Sequence, residues 1–477
     1  MADVTLGLAL IARDEAENLP NLLASIVGAF DRVVLVDTGS KDKTVAIFDE
    51  WAATEVGAGR LDSYHSDTFE WVHDFSAART YAHSLLDTDW EIWADCDDVL
   101  QGATNLRKIA ENANPEICAF VANYAYAHDE HGNVVCQLKR ERMVRRGEGE
   151  WLGRVHEAQH LQGPVEMLPE HVVNWVHRKP PTPDTKRNLK ILRKWNKEEP
   201  GNPRVLGYLG TEELSRGRHK HAIRYFKQYL ALGPGWDEER AQMHRKYAMA
   251  LMALGDHQGA IDTAMQAIQL LPLWPDNYIT LSEAHYNMGE VGKAIVWADE
   301  VLKRGVPDTM LIIDPTDYVL RPRVVRAGSF AAVGQVDQAL EETQLVYQHA
   351  PGHPALAPHV QKWQETSKIN KAVESALTMA QNLVSHDEQL KALAVLEAVP
   401  HFATDHPQIV GHRAELRRRI NELTDPQAYA DHYETGGTKP EDFVDDPIAI
   451  GDVLPRCEFL LEGLLEQAGI EPAEAAA

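Results

Sequence analysis

The chain has 477 residues, with 47 Lys+Arg against 72 Asp+Glu and a formal net charge of −25. That length holds about two to four domains, and so acidic a chain argues against a general binder of nucleic-acid backbones, which needs basic surface for counterion release. Cys96, Cys118, Cys136 and Cys457 are scattered without a Cys-x-x-Cys pair, so a zinc site or disulfide framework is not expected and a reducing cytoplasm fits. The apolar run Val4 to Ala12 has no basic segment before it and ends at Arg13-Asp14-Glu15. It is too short to span a bilayer, so neither a signal peptide nor membrane insertion is expected.

In chain order, Thr5 to Ile11 reads as a buried parallel strand. Asn18 to Ala29 follows with Leu19, Leu22, Leu23, Ile26 and Val27 at helical spacing. Arg32 to Val36 is a second buried strand, ending in Asp37-Thr38-Gly39-Ser40-Lys41-Asp42, and Thr44 to Ala52 a second helix. Strands alternating with helices predict an open, mostly parallel sheet, in which ligands sit beyond the carboxyl ends of the strands. Trp90 to Leu100 runs from an apolar strand into Asp95, Asp97 and Asp98. Such a group suits either a divalent cation with oxygen ligands or an acidic turn capping the next helix. Three polar clusters at three strand ends favour a binding edge.

The runs L-A-L-I-A-R-D-E-A-E-N-L-P-N-L-L-A-S-I and V-V-L-V-D-T-G-S-K-D-K-T, then F-S-A-A-R-T-Y-A at Phe75 to Ala82 and D-C-D-D, resemble the nucleotide-binding half of family-2 glycosyltransferases. The resemblance covers roughly residues 3 to 180. It implies a Rossmann-like α/β GT-A catalytic domain and a metal-dependent, inverting transfer of a sugar from a nucleotide-sugar donor, UDP-linked for preference, to a hydroxyl. Arg13, Glu15, Asp37, Gly39, Ser40, Arg79 and Asp95 would bind the donor. Asp97 first and Asp95 second would hold Mn²⁺ or Mg²⁺, and Cys96 would pack. His177 is the third candidate ligand, with His171 its competitor. Asp37 with Ser40 also reads as a turn and N-cap, and Arg79 as an ion pair.

Cys118 to Ala127 and Val134 to Leu138 read as a hairpin turned at His131-Gly132-Asn133. Arg140, Arg142, Arg145 and Arg146 either hold phosphate or pair with neighbouring acids. The segment Trp151 to Glu157 resembles the acceptor-lining stretch of related enzymes. Glu157 is the first choice for the base that deprotonates the acceptor and His156 the second; a structural pair is the alternative.

Pro180-Pro181-Thr182-Pro183 marks a break, after which the texture becomes helical and self-similar. Gly217, Gly255, Gly289 and Gly334 recur, each followed at one offset by Ala222, Ala260, Ala294 and Ala339. The spacing resembles the ~34 residues of tetratricopeptide repeats, with an insert around Pro307 to Pro322. A degenerate unit is expected at Ala372 to Val399, a capping helix at Gln408 to Leu423, and one short helix at Pro455 to Gln467. The domains are therefore read as 1–183 catalytic, 184–424 an all-α repeat solenoid and 425–477 an acidic tail. Repeats present concave surfaces to peptides, which suggests a protein Ser/Thr acceptor, or self-association as a homo-oligomer. Competing readings are a saccharide- or lipid-directed transferase, a non-catalytic repeat scaffold, and a nucleotidyltransferase, which would want a Gly-rich phosphate loop where Ala12-Arg13-Asp14 stands.

Overall fold

The computed structural model describes residues 4–169, 171–178, 186–386 and 388–424. The expected break at Pro180 to Pro183, the tail and its helix at Pro455 to Gln467 lie outside the described residues.

The first half alternates as the sequence predicts: β1 (Leu6–Ala12), α1 (Leu19–Ser25), β2 (Arg32–Asp37), α2 (Thr44–Gly57), β3 (Ser63–Thr68), α3 (Phe75–Ser84) and β4 (Trp90–Asp95). Leu6, Leu8, Leu10 and Val33 to Val36 are wholly buried, because a parallel strand with helices on both faces has no wet side. The pairs β3–β2, β2–β1 and β1–β4 are all parallel. β3 has no apolar run, only Ser-Tyr-His-Ser-Asp-Thr, and is half exposed at the sheet edge. Periodicity gives no sign of such a polar edge strand.

The second half mixes directions. β5 (Asp98–Gln101), α4 (Asn105–Glu111), β6 (Ala119–His128) and β7 (Val134–Arg145) are followed by β8 (Gly149–Leu152), β9 (Ala158–Leu161), β10 (Val165–Met167) and β11 (Asn174–His177). The order is β3-β2-β1-β4-β7-β6-β11-β5, with β10 beside β6 and the β8–β9 hairpin apart. The hairpin turns where expected, with Gly132 at φ 85 and Asp129 N donating to Asn133 O at 3.0 Å. Its return strand, read as ending at Leu138, runs on to Arg145 because Met143 to Arg145 also pair antiparallel with β4.

Helices follow: α5 (Arg187–Glu198), α6 (Pro203–Ser215), α7 (His219–Leu230), α8 (Asp237–Ala253), α9 (His257–Leu270), α10 (Asp276–Asn287) and α11 (Val291–Arg304). After them come α12 (Leu320–Ala332), α13 (Val336–Tyr347), α14 (Ala357–Ser385), α15 (Gln389–Glu397) and α16 (Pro407–Thr424). The repeated glycines take φ between 67 and 81 at the turns, a left-handed conformation that glycine adopts without steric cost. Ala222, Ala260, Ala294 and Ala339 are each 0% exposed, as helices in close contact require. A Cβ on Gly210 of α6 would stand 2.4 Å from the Phe226 ring of α7, so that hairpin closes only with glycine there.

Two compact units result. Residues 1–329 with 345–351 form the first, so α5 to α11 share a unit with the sheet. Val155 packs in one core with Leu189, Leu192, Trp195, Val205 and Leu209. The insert after α11 also reaches the sheet: Gln137 of β7 and Ile313 exchange two backbone hydrogen bonds of 2.8 and 2.9 Å. Among the described residues, 330–344 with 352–386 and 388–424 form the second unit. Its core joins Val373, Ala376 and Ala380 of α14 to Leu396 of α15 and Ile409 and Leu416 of α16, where a degenerate unit and a capping helix are expected.

Candidate active site

The parallel register brings the polar strand ends level: Ala12 lies beside Asp37, and Ile11 beside Asp95. Beyond them, the β1 and β2 loops are sewn together. Asp14, at φ 55, accepts from Lys41 N at 2.7 Å while its own N–H donates to Ser40 Oγ at 2.9 Å. Glu15 N donates to Thr44 Oγ1 at 2.8 Å, and Glu15 Oε2 accepts from Asn18 Nδ2 at 2.7 Å. Asp37 accepts from Gly39 N and Ser40 N at 3.1 Å, as a turn-capping carboxylate does. Gly39 has φ 106. Arg13 is half exposed, 3.9 Å from Asp14.

At the end of β4 the chain turns through Asp95, Cys96 and Asp97 into β5. The antiparallel register of β11 on β5 sets His177 directly opposite Asp98. One oxygen or nitrogen of each of Asp97, Asp98 and His177 lies within 4.8 Å of the others. His177 Nδ1 is 3.4 Å from Asp97 Oδ1 and 3.6 Å from Asp98 Oδ1, and its ring stacks on Tyr126 at 4.5 Å. His171 is exposed in the turn before β11. Cys96 is buried against Ile11 O, and burial with the surrounding acids pushes its thiol up.

The three acids have different surroundings. Asp98 is fully buried; it accepts from Tyr124 O–H at 2.6 Å and Asp95 N at 3.0 Å, and Arg142 Nη2 is 3.5 Å away. Asp95 accepts from Arg79 Nη2 at 2.7 Å. Burial pushes its carboxyl up, but Arg79 and Arg142 together outweigh that and hold it at about 2. Asp97 has the opposite balance: burial first, then Asp95, pushes it up to about 6, with His177 opposing. Burial alone would lower the His177 imidazole, yet the Asp98 hydrogen bond and the neighbouring carboxylates raise it. Two oxygen donors and an imidazole in a pocket short of positive charge suit a divalent cation.

Arg79 joins this pocket to the acceptor segment. Buried under Trp93 and Trp151, it donates from Nη2 to Asp95 and from Nε to Glu157 Oε1, both at 2.7 Å. Glu157 thus stands at the site edge with its second oxygen outside that bond. His156 points elsewhere. At φ 55, its ring stacks on Tyr208 of α6 at 4.3 Å, and burial, with Arg204, Lys246 and Arg140 beside it, lowers it to about 4 despite Glu157.

The arginine cluster does not converge on one point. Arg142 faces Asp98 and covers Trp93 at 3.7 Å, and Arg140 donates to Glu157 O at 2.7 Å. Arg145 and Arg146 donate to the carbonyls of Ile117 and Asp87. Tyr124 and Tyr126 are site residues that sequence reading does not pick out, and Arg142 takes the acid-pairing alternative given for its cluster. They alternate on two antiparallel strands, and only the pairing of β6 with β7 and β11 aims them at the acids.

Residues 8–154 match the model of glycosyl transferase family 2. They form a family-2 glycosyltransferase domain. A tetratricopeptide repeat-containing protein of Synechococcus elongatus is 29% identical over 322 residues, covering 62% of this chain and 73% of its own. The SPbeta prophage-derived glycosyltransferase SunS of Bacillus subtilis is 26% identical over 241 residues, 47% of this chain and 53% of that one. Among solved structures, MamA aligns over 36% of this chain and 95% of its own at 21% identity and a TM-score of 0.29. The helices after the sheet are tetratricopeptide-type hairpins, shown by their own turns and packing. Among the described residues no helix is long and apolar enough to cross a membrane.

Proposed function

We propose that the chain is a metal-dependent, inverting glycosyltransferase that moves a sugar from a nucleotide-sugar donor, UDP-linked for preference, to a protein hydroxyl presented by the repeats. The observation that carries this is the junction at one strand edge of a cation-ready group, Asp97, Asp98 and His177, with Arg79 ion-paired to both Asp95 and Glu157.

In this reading Asp97 and His177 hold the cation, and Asp98, saturated by Tyr124, Arg142 and the Asp95 backbone, fixes their geometry. Mn²⁺ or Mg²⁺ there would supply Lewis-acid charge against the departing diphosphate. Asp95, Glu15 and the Asp37–Ser40 turn hold the nucleoside, the glycine giving the backbone close approach. Glu157 is the base. The acceptor hydroxyl gives its proton to the free Glu157 oxygen while its own oxygen bonds to the anomeric carbon. The carbon–diphosphate bond breaks, and its electron pair leaves with the diphosphate. Arg79 keeps Glu157 aimed. Stacked on Tyr208, His156 serves the contact with α6.

Unpaired Cys96, Cys118 and Cys136 suit a reducing cytoplasm. The test is full-length protein with Mn²⁺ and a panel of nucleotide sugars, reading release of nucleoside diphosphate. A donor that stabilises the fold and is turned over supports the reading. No stabilisation by any donor, with Asp97→Ala indistinguishable from wild type, sinks it.

A further inference from the structure

Against a net charge of −25, one patch of the first unit is cationic, beside Glu157. Arg204, Tyr208 and Thr211 lie at i, i+4 and i+7 on α6, and therefore on one face. Arg204 Nη2 donates to His156 O, and Tyr208 stacks on His156. Across from them Lys246 of α8 donates to Thr211 Oγ1 at 3.2 Å and to Gln242 Oε1 at 3.1 Å. Arg140 of β7 reaches the same corner through Glu157 O. Arg204, Tyr208, Thr211 and Lys246 are all half-buried, so the patch is open on one side.

Its charges are only partly balanced from within: Arg140 Nη2 is 3.4 Å from Glu141 Oε1. Lys246 hydrogen-bonds only neutral groups. Arg140 Nε and Arg204 Nε are buried donors without an acceptor. Burial, and Arg245 next to it, lowers the Lys246 ammonium to about 8, with Asp276 and Glu239 the acids opposing this. Nearby Arg245 shows the contrast, since it pairs with Asp276 and Asp317. Burying cations without anions is unfavourable unless a ligand supplies the charge.

We propose that this corner, formed by Arg204, Tyr208, Thr211, Lys246 and Arg140, is an acceptor subsite for the carboxylates of an acidic peptide segment flanking the hydroxyl to be modified. The inference rests on the glycosyltransferase reading and names its acceptor class. A peptide suits the patch better than a lone phosphate because the cations come from three elements, β7, α6 and α8, and are each held apart by separate partners. An extended acidic chain crossing them would bring its hydroxyl to Glu157.

The test uses the full chain and labelled peptides: one serine among glutamates, the same among glutamines, and a neutral peptide with one phosphoserine. Anisotropy should show the glutamate peptide bound, weakening with added salt, and about tenfold weaker binding in Lys246→Gln and in Arg204→Gln. Lys246→Glu should weaken binding of the glutamate peptide further than Lys246→Gln does. Equal binding of glutamate and glutamine peptides, unchanged binding in both Gln variants, or tighter binding of the phosphopeptide overturns the proposal. Stabilisation by Mn²⁺ with nucleoside diphosphate is read in parallel on every variant. Its retention shows that the chain is folded with an intact donor site, and its absence in wild type indicts the glycosyltransferase reading instead.

Discussion

The acidic edge of the sheet and the inner corner of α6 and α8 are opposites built on one rule. At the edge, carboxylates crowd together, and burial with Asp95 pushes the Asp97 carboxyl up to about 6. At the corner, cations gather around too few carboxylates, and Lys246 is left on neutral partners. Each region also contains the balanced version of itself: Asp98 beside Arg142 at the edge, and Arg245 between Asp276 and Asp317 in the helices. Paired charges such as these hold the fold together, and the proposals place charged ligands at the others. The distinction cannot be drawn from residue type, since Asp97 and Asp98 are neighbours in the chain.

Asp97 should show the strongest loss of activity. Its replacement by Ala should lower nucleoside diphosphate release by about 10³-fold without lowering the unfolding free energy at neutral pH. A variant that turns over normally would place the unbalanced charge outside the chemistry. Next comes the balanced partner. Arg142→Met leaves Asp98 buried beside Tyr124 without its cation, and should cost about 3 to 5 kcal/mol in urea unfolding. A loss below 1 kcal/mol, roughly that of an exposed pair, would show that the pair is not structural.

The pH dependence sharpens the same point. The Asp97 carboxyl is raised from 3.8 to about 6 in the fold, so the metal-free native chain binds a proton that the unfolded chain has released. That contribution is fully present below about pH 4 and is lost as pH rises through about 6. It amounts to about 3 kcal/mol at most. His177, raised beside it, acts in the same direction. Thermal melts should therefore show Mn²⁺ stabilising the protein much more at pH 7.5 than at pH 5, and Asp97→Asn should flatten the difference. Equal stabilisation at both pH values would place the cation elsewhere. The smallest effect is expected at Lys139, whose partner Asp308 is largely exposed. Lys139→Ala should shift stability by less than about 1 kcal/mol, and a larger shift would mean that the insert depends on that pair more than on its Gln137–Ile313 bridge.

Legible in the sequence are the alternating strands and helices of the first half, the three polar strand ends, and the repeating hairpins with their glycine turns and alanines. These are local or periodic facts, set by burial on both faces of β1, β2 and β4 and by the steric demands of Gly217, Gly255, Gly289 and Gly334. It also singled out Asp97 and His177, 80 residues apart, through resemblance alone. Which acid is held by Tyr124 and Arg142 follows from strand pairing alone. The pairing of β11 with β5 puts His177 across from Asp98 and 3.4 Å from Asp97, and β6 and β7 bring Tyr124 and Arg142 to Asp98. The tertiary structure likewise sent the two base candidates apart, His156 onto Tyr208 and Glu157 onto Arg79. A carboxylate's role depends on the charges and donors within a few ångströms of it, and those arrive from strands distant in the chain.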